Sequence, residues 1–190
     1  MYYTKEKEVD KLMGIAILAL LARRIAAWRK VERTTGARTP QKVTAVHCVH
    51  GYRALVLDLA ALCVPEGDTA ERAIELAARE SGFVREVMER AFVRVQAKPF
   101  SEQTQYMYTV HRFTDGYRMI MKGAPDAVLR HCCLQARERE VFTEECAKMS
   151  GQALHVLGVA YKDVQTSDAT PADDLIFAGF LVVTEAAQEA

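Results

Sequence analysis

The apolar positions of this chain switch period several times. From Glu6 to about Glu32 there is no proline and a single glycine, and Ala, Leu, Ile, Lys, Arg and Glu dominate, which predicts a helix. Its apolar residues make no clean stripe, and Ile15 to Leu21 is almost continuous, so such a helix needs a partner. Lys42 to Val49 alternates and predicts a strand, closed by a turn at His50-Gly51. Arg53 to Cys63 returns to helical spacing, with Leu55, Leu59 and Leu62 on the face expected to enter the core. After a Pro65-Glu66-Gly67 loop, Asp68 is a natural N-cap, and Glu71 three residues later completes a capping-box pattern. That helix continues through Ala73, Ile74, Ala77 and Ala78 to a glycine stop at Ser81-Gly82. Phe83 to Glu89 reads as one further short turn, and Phe92 to Ala97 as a strand.

The centre of the chain is the most sharply patterned. In Tyr106 to Phe113 and Tyr117 to Met121, β-branched, aromatic and thioether side chains predominate, and the Thr114-Asp115-Gly116 turn between them is a strong hairpin signal. Pro125 suits the first position of a helix, because the N–H it lacks would be unpaired there, and the helix is expected over Asp126 to Leu134. Arg137 to Val141 reads as a charged connection, Thr143 to Gln152 as a helix ending in Ala153-Leu154, and His155 to Lys162 as a strand. Gln165 to Asp173 is a polar loop, and Leu175 to Val183 is a near-continuous apolar strand expected to be a central one. Pattern alone therefore gives a mixed α and β domain.

With 190 residues and 50% hydrophobic content, the chain can bury one ordinary core. The 25 basic and 25 acidic residues cancel, so no overall field attracts nucleic acid, and the basic N-terminal residues carry no interleaved aromatics beyond Trp28. Nucleic acid is not expected as a partner. Residues 1–45 hold 10 Lys/Arg against 4 Asp/Glu, which sets a basic arm ahead of a mildly acidic body. Leu12 to Ala22, followed at once by Arg23-Arg24, is shorter than the roughly 20 apolar residues a bilayer crossing needs. It also lacks the small-residue cleavage site of a signal peptide.

Cysteine usage points to a reducing compartment. Five cysteines, among them the adjacent Cys132-Cys133, make neither a secreted disulfide framework nor a paired zinc signature. His47-Cys48-Val49-His50 contains metal-ligand types, yet neighbouring side chains of a strand point to opposite faces. The spacing of His131-Cys132-Cys133 with Cys146 fits no closed tetrad, and buried thiols are the simpler reading. No metal site is expected.

Folding the hairpin would carry Phe100, just before its first strand, and Lys122-Gly123, just after its second, to one end of a sheet. A ring for stacking, an ammonium and a bare backbone suit a planar base with an anionic tail. The helix opened by Pro125 would add a weak anion site beside Lys122. No nucleophile-base pair or glycine-rich phosphate loop emerges, so no catalytic residue is assigned and an independent enzyme ranks low.

Four blocks occur in order: Gly-Asp-Thr-Ala-Glu at 67–71, Pro-Phe-Ser at 99–101, Lys-Gly-Ala-Pro-Asp at 122–126 and Leu-His-Val-Leu-Gly-Val-Ala-Tyr at 154–161. Together they resemble the nucleotide-binding domain of P-type cation-transporting ATPases, most closely the calcium-pump-like branch. The resemblance implies an α+β fold: a twisted, mainly antiparallel sheet of about six or seven strands flanked by helices, preceded here by an N-terminal helical arm. It divides the chain into a basic arm and linker (1–42), the nucleotide-binding domain (43–184) and a short tail (185–190). It implies ATP as ligand, with Mg2+ accompanying the nucleotide, and a cytoplasmic domain of a membrane-embedded parent. Glu71, Phe100, Lys122 and Gly123 would line the adenine pocket. Glu71 would face the adenine amine, a role compatible with capping. His155 stands where the pumps open the strand with arginine.

The departures matter as much. Where the pumps read Asp-Lys-Thr-Gly-Thr-Leu-Thr, this chain has Arg33-Thr34-Thr35-Gly36-Ala37-Arg38-Thr39, with arginine in the place of the phosphorylated aspartate; a plain Thr/Gly/Pro linker remains the other reading of this stretch. A guanidinium cannot form an aspartyl phosphate. Glu102 and Gln105 occupy places that usually hold cations, and Thr184-Glu185-Ala186-Ala187 replaces the Asp-Pro-Pro-Arg that leads back to the phosphorylation domain. The expectation is weak adenine-nucleotide binding without phosphoenzyme formation by this chain. The alternative is an interaction module that kept the fold and joins a membrane surface, itself or a full pump through residues 6–32.

Overall fold

The computed structural model describes residues 42–48, 53–64, 69–113, 116–150 and 155–184. The expected N-terminal helix, the segment around Arg33, the His50-Gly51 and Thr114-Asp115 turns, the loop with Asp68, Ala153-Leu154 and the tail from Glu185 lie outside the described residues. Within them, six strands form one antiparallel sheet: β1 (Lys42–Cys48), β2 (Arg94–Lys98), β3 (Tyr106–Phe113), β4 (Gly116–Gly123), β5 (His155–Val164) and β6 (Ile176–Thr184). Their order is β1-β6-β5-β4-β3-β2. The five helices are α1 (Arg53–Leu62), α2 (Thr69–Glu80), α3 (Arg85–Ala91), α4 (Pro125–Arg130) and α5 (Ala136–Ser150). The expected α+β fold, an antiparallel sheet flanked by helices, is therefore what the chain adopts.

Alternation sorts the helices onto two faces. Met107 of β3, Ile120 of β4, Val159 of β5 and Leu181 of β6 pack with Leu57, Ala60, Ile74, Phe83 and Met88 of the α1–α3 layer. Their chain neighbours Tyr108, Met121, Ala160 and Phe180 face the other way, onto Val128 and Leu129 of α4 and the half-buried Phe142 and Met149 of α5. Because both faces are covered, β6 reads as an unbroken apolar run, with Phe177 to Val183 all buried. It is an interior strand of the sheet, paired with the edge strand β1 on one side and β5 on the other.

Several boundaries differ from the sequence expectation, among them α3, which runs over Arg85–Ala91 and not Phe83 to Glu89, and the end of β5, at Val164 and not Lys162. Arg137 to Val141 belongs to α5: Arg137, Glu138 and Glu140 are exposed, Arg139 donates to Leu129 O and Cys132 O at the end of α4, and Phe142, Cys146 and Met149 anchor the rest of the helix. Conversely α4 stops at Arg130, because Cys132 leaves the helix to bridge Leu175, with Leu175 N donating to His131 O at 2.9 Å and Cys133 N to Leu175 O at 2.9 Å. The strand expected from Phe92 begins at Arg94, Phe92 serving as the C-cap of α3 with its N–H on Met88 O.

Candidate functional site

The register brings the chemistry of three connections to one end of the sheet. Tyr106 pairs with Gly123, Gly123 with Gly158, and Lys98 with Tyr108, so the end of β2, the start of β3, the end of β4 and the start of β5 lie side by side. Phe100 follows β2, Lys122-Gly123 closes β4 and His155 opens β5. Glu71 comes to the same region from the first turn of α2.

The ends of β3 and β4 are tied tightly. Ala124 N donates to Gln105 O at 2.9 Å, and Gln105 N donates to Ser101 O at 2.7 Å. Ser101 Oγ accepts from Gln103 N at 3.2 Å, a short side-chain turn that shapes the loop after Phe100. Gln105 itself holds φ at 62°, a left-handed conformation that costs a non-glycine residue on the order of 1 kcal/mol. A Cβ on Gly123 would stand 2.4 Å from Gln105 O and 2.6 Å from Tyr106 Cα. Glycine is thus demanded by the chain's own packing, where the sequence had offered ligand approach as the reason. The result is a Phe100 side chain held in solvent, 56% exposed, on a loop pinned to the end of β4.

Lys122 behaves differently from the expectation. It shares the face of Met107, its partner across β3, and of Ile120, so its side chain runs under α1 and α2 and not toward α4 on the opposite face. The weak anion site imagined between Lys122 and the start of α4 is therefore not formed. Instead Nζ donates to both oxygens of Glu71, at 2.9 and 2.7 Å. The lysine side chain is 3% exposed and the glutamate 14%, so a solute reaching the pair meets the carboxylate.

A second polar line continues behind this pair. His111 Nδ1 lies 3.0 Å from Phe92 O and Nε2 lies 2.9 Å from Thr109 Oγ1, all on the face toward α1. A carbonyl only accepts, so Nδ1 carries the proton of the neutral ring and Nε2 accepts from the Thr109 hydroxyl. Burial, aided by Arg94 and opposed by the Phe92 carbonyl and Glu89, holds the imidazole below its ordinary pKa. Cys63, at the end of α1, donates to Ile120 O at 3.6 Å; burial pushes its thiol up, while nearby Lys122 pulls the other way. Arg94 caps the same helix end through Leu62 O and Val64 O at 3.4 and 3.1 Å. None of Cys63, Thr109 and His111 was singled out from sequence as part of this region. The available signal was the polar pair Thr109 and His111 alternating with Met107 in an otherwise apolar strand.

His155 is exposed at the head of β5 and shares by alternation the face of Leu157 and Val159. Glu102 and Gln105 are exposed beside Phe100. The five sequence-derived residues thus gather at one sheet end, with direct contact between Glu71 and Lys122.

Residues 65–185 match the family model described as P-type ATPase, cytoplasmic domain N. The chain belongs to this family. Among its curated relatives, Calcium-transporting ATPase 1 of Bacillus cereus is 31% identical over 128 residues, 60% of this chain and 14% of that protein. Calcium-transporting ATPase of Bacillus subtilis is 30% identical over 116 residues, 55% of this chain and 13% of that protein. The chain thus spans about one seventh of the length of these relatives. It is a calcium-pump-like P-type ATPase N domain, the nucleotide-binding domain of that family, and the family's description assigns this domain to the cytoplasmic side. No helix among the described residues is long and apolar enough to cross a membrane.

Proposed function

We propose that this N domain binds an adenine nucleotide at the sheet end formed by Phe100, Glu71, Lys122, Gly123 and His155. The base stacks on Phe100, and the exocyclic amine is received by the exposed edge of the Glu71 carboxylate, which Lys122 holds in place from beneath. Gly123 fixes the loop that carries the ring, and His155 stands at the ribose and phosphate side. Mg2+ enters with the nucleotide's phosphates and needs no ligand from this chain. The single observation that supports this reading is the 56% exposed Phe100 on a strained, pinned loop at the end of β4. A large aromatic ring left in water on a fixed loop is a stacking platform, worth about 1–3 kcal/mol per base.

Affinity should be near millimolar, since Glu102, Gln105 and His155 supply none of the fixed cations that hold a triphosphate. The chain forms no aspartyl phosphate by itself, because Arg33 occupies the nucleophile's position. We divide it into an arm (1–42), the binding domain (43–184) and a tail (185–190). ATP titration followed by the amide signals of Lys122 and Gly123 tests the reading. Shifts that saturate in the millimolar range and vanish in Phe100→Ala are expected, while unmoved signals at high nucleotide would end it.

A second reading, an interaction module, draws on one sequence observation: the apolar run Leu12 to Ala22 flanked by Arg23, Arg24, Arg29 and Lys30. Deleting residues 1–32 would then abolish self-association or membrane attachment and leave nucleotide shifts intact.

A further inference from the structure

We infer that the apolar run at residues 12–22 docks on this chain's own domain, across the end of the sheet where Phe113 pairs with Gly116, away from the nucleotide site. The inference goes beyond the nucleotide reading and gives the arm a partner within the same molecule. The surface is a row of side chains on the α1–α3 face that runs from strand to strand. Phe92, at the end of α3, stacks on Phe113 of β3 with ring centroids 4.3 Å apart and planes at 22°. Arg118 of β4 lies over Phe113 at 4.6 Å and over Tyr161 of β5 at 5.1 Å, and Ile176 of β6 pairs with Tyr161. Asp163 holds the guanidinium in place, accepting from it at 2.6 and 3.0 Å. The α1–α3 layer leaves this row partly uncovered: its three rings are half-buried and Ile176 is 46% exposed. Rings joined by a fixed, weakly hydrated guanidinium, with an aliphatic side chain at one end, suit another apolar element.

Length, tether and charge name the occupant. From Phe92 to β6 the row measures about 19 Å at the spacing of strands. Leu12 to Ala22, read from sequence as helix, measures about 16 Å, and its apolar surface is almost continuous from Ile15 to Leu21. The chain enters the sheet at Lys42, opposite Thr184, and β6 runs about 27 Å from there back to Ile176. Residues 33–41 span about 30 Å when extended, so the Ile176 end of the row is within reach. Residues 163–176 hold Asp163, Asp168, Asp173 and Asp174, all exposed, and no lysine or arginine. Arg118 and Lys162 answer only Asp163 and Asp174, while Asp173 meets His131 at 3.1 Å. The far end of the row, beside Phe92 and Phe113, carries exposed Arg90 and Arg112 instead. This sets the direction: Arg23-Arg24, which close the apolar run and lie nearer to Lys42 in the chain, belong beside the carboxylates at the Ile176 end. The same carboxylates repel an anionic membrane.

The test is hydrogen–deuterium exchange with mass spectrometry on the full chain, read over residues 12–22 at a concentration where light scattering gives a monomer. Protection about tenfold or more above an unstructured chain, unchanged on dilution, is expected. Ile176→Asp sets an unpaired carboxylate under the apolar run and should lower that protection about tenfold while β4 stays protected. Arg23→Glu combined with Arg24→Glu, a change outside the folded sheet and its helices, should lower it as well. If Ile176→Asp disturbs β4, the double arm variant decides alone. Protection that appears only as concentration rises assigns the surface to a second copy, and protection that requires anionic vesicles assigns the arm to lipid; either result overturns the inference. An arm that exchanges like an unstructured chain, or protection that Ile176→Asp leaves untouched in a folded domain, overturns it too.

Discussion

Lys122 Nζ sits 2.9 and 2.7 Å from the two carboxylate oxygens of Glu71, a contact between residues 51 positions apart that ties the end of β4 to the start of α2. Its two halves are buried unequally, the lysine at 3% and the glutamate at 14% exposure. Glu71→Gln strands a buried ammonium and should cost about 3 kcal/mol. Lys122→Met fills the same space with an apolar chain and leaves a carboxylate that can turn to water, so about 1 kcal/mol is expected. Urea unfolding of the two variants checks the order; a larger loss in Lys122→Met would show that packing of the lysine stem, and not charge, dominates here.

Gly123→Ala isolates the backbone from the charges. The added methyl meets Gln105 O at 2.4 Å and Tyr106 Cα at 2.6 Å, neither the tip of a flexible side chain. Strands or loop must shift, and about 3 kcal/mol or more of stability should be lost. At Gly158, where the nearest atom to an added Cβ is Val128 Cβ at 3.1 Å, alanine should cost less. Thermal or urea denaturation ranks the two directly.

How much of this could be read in the chain depends on whether the deciding contacts are local. The β3–β4 hairpin was legible because alternation and Asp115-Gly116 agree, and its register closes at Phe113 with Gly116, whose φ of 147° favours glycine. The beginning of α5 was hidden because Arg137 to Val141 is charged and its tie to the body is Arg139 donating to Leu129 O and Cys132 O, a tertiary contact, while the apolar anchors Phe142, Cys146 and Met149 come later. The end of α4 was set by the Cys132–Leu175 bridge, a tertiary contact without local trace. At the site, Phe100, Lys122 and Gly123 followed from the hairpin as well as from motif resemblance, Glu71 and His155 came from the resemblance, and the register gathers them. The Glu71–Lys122 pairing was missed, although a lysine closing Met119-Ile120-Met121 in a strand covered on both faces demands a counter-charge from somewhere.

Adjacent cysteines should react at very different rates. Cys133 is exposed, whereas Cys132 is buried, donates to Val128 O at 3.2 Å and has its pKa raised by burial to about 12. At pH 8 its thiolate fraction is then on the order of 1 in 10,000. Timed alkylation with mass spectrometry should label Cys133 first and leave Cys132 and Cys63 until the domain unfolds. Labelling of Cys132 ahead of Cys133 would mean that the end of α4 opens in the native state.

His111 should give the domain an acid-sensitive core. Burial keeps its imidazole below its ordinary 6.5, with Arg94 acting in the same direction and the Phe92 carbonyl and Glu89 against it. The unfolded chain therefore takes up a proton that the folded chain refuses. Stability is full above the ordinary value and is lost as pH falls below it, down to the lowered folded value, by at most about 1.4 kcal/mol per unit. His111→Gln can keep both contacts, its amide donating to Phe92 O and its carbonyl accepting from Thr109, without titrating. Measured at pH 7 and pH 5, the parent should lose more stability than the variant, since carboxylates common to both cancel in the difference. Equal losses would assign the acid sensitivity to groups other than His111.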